Sequence, residues 1–137
     1  MKTGILYATM DLFHYGHLEA INFCKRQCDR LIVAISTDEF NAEKGKKSMI
    51  PYWQRVEIVR NIKGVDEVIP EHCWGQKSSD IDKYNLDYIF VDKEWVGKIR
   101  YDLGFKSTDI TIVPVPRTPG ISSTQLKERL KNGNEIL

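Results

Sequence analysis

Three apolar runs in this chain do not alternate with polar residues: Ile5-Leu6-Tyr7-Ala8, Leu31-Ile32-Val33-Ala34-Ile35 and Tyr88-Ile89-Phe90-Val91. A strand that is apolar on both sides has to be covered on both sides. The stretches between them carry helical spacing. Leu18, Ile21, Phe23, Cys24 and Cys28 recur along one side of residues 15–28, and Trp53, Val56, Ile58, Val59 and Ile62 mark a helix from Pro51 to about Lys63, ended by Gly64. Two weaker strands are expected at Val65–Ile69 and Thr111–Val115. Further helices are expected over Ser78–Tyr84, Ile99–Leu103 and Thr124–Lys131, the last capped by Ser122 or Ser123. Strands alternating with helices in this way predict an α/β fold: one parallel sheet of about five strands with helices on both faces, in a single domain over residues 1–137.

Composition narrows the partners. The 137 residues are 42% hydrophobic and 28% charged, with a net charge of +1, so nothing global favours nucleic acid. No apolar run approaches the roughly 20 residues of a membrane-spanning helix. The N-terminus enters a strand without the pattern of a leader segment. Cys24, Cys28 and Cys73 lack a disulfide framework spacing, and reduced thiols in the cytoplasm are the expectation.

In a parallel α/β sheet ligands bind beyond the carboxyl ends of the strands. Polar segments leave the strands there at 9–17, 36–47, 92–98 and 116–124, with 71–77 beside them, and they are expected to meet around one crevice. The first is the most distinctive. Thr9, His14, Gly16 and His17 lie at a strand-to-helix turn, with the two histidines in the first helical turn among unpaired backbone N–H groups. Gly16 lacks a Cβ between them, which leaves room for a ligand to approach the backbone. Anion binding, a metal site and simple helix capping all fit this pair. Arg117, before a Gly120 turn and a Ser122-Ser123-Thr124 helix start, offers a second anion cradle; a capped helix alone uses the same hydroxyls. Lys44, Lys46 and Lys47 surround Gly45 in a loop that suits either a solvated surface or a mobile phosphate clamp.

His14-Tyr15-Gly16-His17 fits the H-x-G-H signature of the nucleotidyltransferase superfamily, and Arg117-Thr118-Pro119-Gly120-Ile121-Ser122-Ser123-Thr124 resembles the R-T-E-G-I-S-T-T signature of its small cytidylyltransferases. The segments Ala34–Asn41 and Val65–Glu71, with Trp74 and Lys77, are similar to that family too, so the likeness runs through nearly the whole chain. It implies a Rossmann-like domain that catalyses in-line attack of a substrate phosphate on the α-phosphorus of CTP. Pyrophosphate leaves, and a CDP-activated product such as CDP-glycerol forms for a cell-wall or capsule polymer. The acceptor is a small phosphorylated alcohol, glycerol phosphate first, with other polyol or amino-alcohol phosphates as alternatives.

Carried over by position, the resemblance makes His14, His17, Lys44, Lys46 and Arg117 catalytic. Thr9, Met10, Asp11, Gly16, Glu94, Trp95, Thr118, Gly120, Ile121, Ser122, Ser123 and Thr124 would hold the nucleotide. Asp38, Arg55, Lys63, Trp74 and Lys77 would receive the acceptor. Mg²⁺ or another divalent cation would bridge the triphosphate, with Asp11 as its protein contact, and two copies of the chain would form a homodimer. No nucleic acid or membrane partner is implied. The sequence departs from the family's pattern at Ala8, Met10, Lys63, Asp92-Lys93-Glu94 and Pro119. Three other readings compete: an adenylyltransferase with the same chemistry, a nucleotide-binding module without turnover, and a metal-binding structural protein. Pyrophosphate release separates the module from the enzymes, and stoichiometric zinc after purification would mark the structural protein.

Overall fold

The computed structural model describes residues 1–133. Five strands, β1 (Thr3–Ala8), β2 (Arg30–Ser36), β3 (Glu67–Glu71), β4 (Tyr88–Asp92) and β5 (Thr111–Val115), form one sheet in the order β3-β2-β1-β4-β5. Every pairing is parallel, with Ile5 opposite Ile32 and Ile89, and Val33 opposite Val68. Alternate side chains feed two cores. Ile5, Ile32, Ile89 and Ile112 pack on one face with Ile99 and Leu103. Leu6, Leu31, Val33, Ile35 and Phe90 pack on the other with Ile21, Cys24 and Val59. Because both faces are buried, these strands read as unbroken apolar runs. Each fully buried Ile or Leu side chain contributes about 2 kcal/mol from area removed from water.

The helices are α1 (Tyr15–Gln27), α2 (Asp38–Glu43), α3 (Tyr52–Arg60), α4 (Gln76–Lys83), α5 (Val96–Leu103) and α6 (Ser123–Lys131). The Ser122 hydroxyl caps α6 by accepting from Gln125 N–H, as the sequence suggests. Helix α3 ends at Arg60, short of the expected Lys63, and α4 starts at Gln76 instead of Ser78; three further differences have a plain physical reason. The segment read as a lysine loop begins with α2, whose six residues are too few to show a period; Thr37 caps it and Asp38 and Glu39 suit its first turn. The third strand starts two residues later than expected and runs through Pro70, which a strand at the sheet's edge tolerates. The fifth helix starts at Val96, after a short 3-10 turn over Lys93–Trp95.

The strand order reverses between β1 and β4. The carboxyl ends of these strands, at Ala8 and Asp92, therefore flank the place where such a sheet opens a crevice. No helix among the described residues is long and apolar enough to cross a membrane.

Candidate active site

A crevice of about 650 Å³ lies at that carboxyl edge, and all five polar segments reach it. Its floor is the end of β1. The turn that follows is held in a costly shape: Met10 and Leu12 have φ of 58° and 48°, where side chains other than glycine are rarely found. Three contacts keep it there. The Met10 side chain is buried in the core, Arg55 Nη1 donates to the Thr9 carbonyl at 2.8 Å, and Asp11 anchors the rest.

Asp11 is 2% exposed, and its carboxylate accepts from the N–H groups of Leu12, Met49 and Ile50 and from Lys127 Nζ at 2.7 Å. Burial pushes this carboxyl up; the bonds from Lys127, Met49 and Ile50 outweigh it and hold the group below its ordinary range. Its oxygens tie the β1 turn, the segment after the lysine loop and α6 together. No local spacing signals Lys127, whose partner lies at the other end of the chain.

The two histidines cap α1 with their own rings. Gly16 N–H donates to His14 Nδ1 at 2.9 Å, and His14 N–H donates to His17 Nδ1 at 3.1 Å. This is a capping box with imidazoles in place of the usual hydroxyl and carboxylate. Both Nδ1 atoms are acceptors, so in each neutral ring the proton sits on Nε2. His14 Nε2 is buried without a partner among the described residues, and His17 Nε2 lies 3.4 Å from Ser123 Oγ. The Ser123 proton is directed to the Asp11 carbonyl, which leaves its oxygen to accept from His17. The rings stack at 3.9 Å. Burial, then the neighbouring His14, pushes His17 down to about 4, and burial lowers His14 as well. Both rings are therefore neutral Nε2–H donors at neutral pH. Gly16 makes room for this box: a Cβ there would stand 2.7 Å from His14 Cε1.

The opposite wall is cationic. Lys44 Nζ bonds Ser36 Oγ at 2.9 Å and sits 4.5 Å from the Phe40 ring; burial lowers its ammonium below the ordinary range. Lys77 is 5% exposed and bonds Glu71 at 3.0 Å. Trp74 rises between them with its ring edge-on to Phe40 and tilted against Trp95 at 6.0 Å. Lys46, Lys47, Thr9 and Thr124 also face the crevice.

The remaining expected residues are placed differently. Arg55 has no exposed side-chain surface, and its guanidinium donates to the carbonyls of Ile50, Thr9 and Ser36 and to Asp38. It braces the crevice from behind instead of meeting an acceptor. Asp38 remains half-exposed, though its oxygens accept from Arg55 and from Tyr52 N–H. Lys63 lies in the turn after α3, next to Val65 and Asp66, and Asp66 bonds Leu31 at the start of β2. That is the amino edge of the sheet, opposite the crevice, so within one chain Lys63 does not reach the site. Arg117 is exposed at the rim, paired with Glu94 at 2.7 Å and Asp92 at 3.7 Å. Thr118, Gly120 and Ile121 form the turn behind it; Gly120 adopts φ 83°, and Ile121 lies beside Gly16.

Among the described residues no three His, Cys, Asp or Glu side chains converge as a metal cage. All three cysteines are free thiols.

A family model for cytidylyltransferase-like proteins matches residues 5–129. The glycerol-3-phosphate cytidylyltransferase of Bacillus subtilis is 44% identical over 130 residues, covering 95% of this chain and 98% of the relative. That of Staphylococcus aureus is 42% identical, covering 95% and 96%. Among solved structures, a lipopolysaccharide core biosynthesis protein from Thermoplasma volcanium superposes with a TM-score of 0.75 at 19% identity, over 86% of this chain and 98% of that one, a likeness of fold.

Proposed function

The chain belongs to the cytidylyltransferase-like family, and from that premise we propose that it transfers CMP from CTP to a small phosphorylated alcohol, glycerol 3-phosphate first, releasing pyrophosphate and forming CDP-glycerol. The observation that carries this reading is the His14–His17 box: two neutral imidazoles locked by backbone bonds, with His17 lining the same crevice as the lysines and His14 stacked behind it. A phosphate oxygen of the acceptor attacks the α-phosphorus as the bond to the β-phosphate breaks. Nε2–H of His14 and His17 stabilises the charge that gathers on the phosphoryl and leaving oxygens, without a proton having to move. Lys44 and Lys46 hold the triphosphate, Ser123 and Thr124 line its other side, and Arg117 exchanges its rim carboxylates for phosphate. Lys77 and Trp74 take the acceptor. Mg²⁺ would supply further charge neutralisation, held by the phosphates and water rather than by Asp11.

Family likeness also supports a homodimer, which sedimentation would test, and the free thiols support a cytoplasmic setting. The decisive experiment is a matrix of the four nucleoside triphosphates against polyol and amino-alcohol phosphates, read as pyrophosphate release. CTP with glycerol 3-phosphate should give the fastest turnover. A preference for ATP, or binding without turnover for every acceptor, overturns the reading.

A further inference from the structure

Glu71 ends β3 and is 4% exposed. Each of its carboxylate oxygens is engaged. One accepts from Ser36 Oγ at 2.9 Å, the other from Lys77 Nζ at 3.0 Å. Ser36 is fully buried; its one hydroxyl proton goes to Glu71, so its oxygen is free to accept from Lys44 Nζ at 2.9 Å. A single carboxylate thus fixes two ammonium groups from different elements. It holds Lys77 of α4 directly and Lys44, just past α2, through one hydroxyl.

Aromatic faces complete the holder. Lys44 Nζ lies 4.5 Å from the Phe40 ring and Lys77 Nζ 4.3 Å from the Tyr7 ring, with Trp74 about equally far from both, at 6.0 and 5.8 Å. Tyr7 is itself fastened, its hydroxyl donating to Asp80 at 2.7 Å. An ammonium group has three protons, and among the described residues each of these lysines makes one hydrogen bond. The remaining donors can serve phosphate oxygens. Two lysines against one carboxylate leave a local excess of positive charge on this wall of the crevice. Buried ion pairs are weak stabilisers of a fold, since apolar replacements are often neutral. Fixing charge where it is needed is a better account of this one.

We infer that Glu71 is a positioning residue that serves both substrates at once. Through Ser36 it sets Lys44 for the triphosphate, and directly it sets Lys77 for the phosphomonoester of the acceptor. The identity of the two phosphates rests on the proposed reaction. The structural branching does not. It also replaces what Arg55 and Lys63 were expected to do, since neither offers its charge to the crevice.

The test uses the full chain with Ser36→Ala, Lys77→Met and Glu71→Gln. Initial rates are measured with CTP and glycerol 3-phosphate varied in turn, and CTP affinity is measured by calorimetry without acceptor. Losing a hydrogen bond to a charged group corresponds to about tenfold in affinity. Ser36→Ala should raise the KM for CTP by about that factor and leave the KM for acceptor within about twofold, the scale of a peripheral change. Lys77→Met should do the reverse, and Glu71→Gln should raise both.

The pH profile gives an independent readout. Burial pulls the Lys44 ammonium down and the Glu71 charge holds it up, while Lys46, Lys77 and Arg55 push it down again. With Glu71→Gln, the alkaline limb of CTP affinity should therefore move to lower pH. Unchanged KM values in Glu71→Gln alongside a lowered melting temperature would mean a structural role only and overturn the inference. Equal effects of Ser36→Ala and Lys77→Met on both substrates would overturn the branching. Should Glu71→Gln not fold, Glu71→Asp and the two single-branch variants still decide between these outcomes. A wild-type chain that binds CTP but releases no pyrophosphate would sink the reaction, while the calorimetry would still judge the Ser36 branch. One that binds no CTP would sink both.

Discussion

On the α1–α6 side of the crevice two neutral imidazoles and a hydroxyl are oriented by backbone N–H or C=O groups, and the one ammonium group of α6 there, Lys127, is paired with Asp11. On the β3–α4 side they are ammonium groups, oriented by a carboxylate and aromatic rings. The first wall gains its effect from direction, because hydrogen bonds from fixed neutral donors matter most where charge develops in the transition state. The second gains its effect from net charge, which attracts a polyanion whether or not it is reacting. One wall should govern kcat and the other KM.

Variants that remove one wall at a time separate the two. His17→Ala should give the largest loss, about 3 kcal/mol or some hundredfold in kcat, with KM for CTP little changed, as for removal of one preorganised transition-state donor. Stopped-time pyrophosphate assays and a thermal melt check that turnover falls while the fold stays. Asp11→Ala follows. It leaves the Met49 and Ile50 N–H groups and Lys127 without their acceptor, and the loss of stability should be about 2 to 3 kcal/mol, measured by denaturant unfolding.

Acid comes next. His17 is depressed to about 4 in the fold against 6.5 when unfolded. The unfolded chain therefore binds more protons between those values, and the stability from neutral His17 is fully present above 6.5 and lost as pH falls towards 4. The slope should be up to about 1.4 kcal/mol per pH unit, and His17→Gln should flatten it. Asp11, held below its ordinary range, works in the same direction at lower pH. Turnover should likewise persist at pH 5.5, where a free imidazole is already charged. The lysine wall should show its nature in salt: raising ionic strength increases both KM values and leaves kcat nearly constant. The smallest effect belongs to the rim. Glu94→Gln removes the exposed partner of Arg117 and should change stability by less than about 1 kcal/mol in the same unfolding assay.

The same contrast explains what could be read in advance. Strands buried on both faces announce themselves in apolar runs such as Leu31–Ile35, and the histidine pair announces a helix start, because both signals are local. The lysine wall is not local. Arg55 and Lys77 are equally plain cations in the sequence, yet one is walled in by three carbonyls and Asp38 while the other faces the crevice. Lys127, Ser36 and Glu71 gain their roles from partners on other elements, and no spacing encodes that. Lys63 is as plain a cation in the sequence, but the chain's own path carries it to the far end of the sheet.

Pro70 has a consequence beyond the boundary of β3. Its carbonyl accepts from Gln76 Nε2 at 2.7 Å, so this residue turns away from β2 towards the open side of the strand, where a proline has no N–H to offer. Gln76 also takes the His72 N–H through its own oxygen. The outward side of β3 is thus closed to a further strand, and β5 at the opposite margin carries Pro114. Such a sheet resists growing by accretion of neighbours, which protects the chain from fibrillar self-templating at high protein concentration. Any pairing of two copies must then use helices and loops, and not a sheet continued from one protomer into the next.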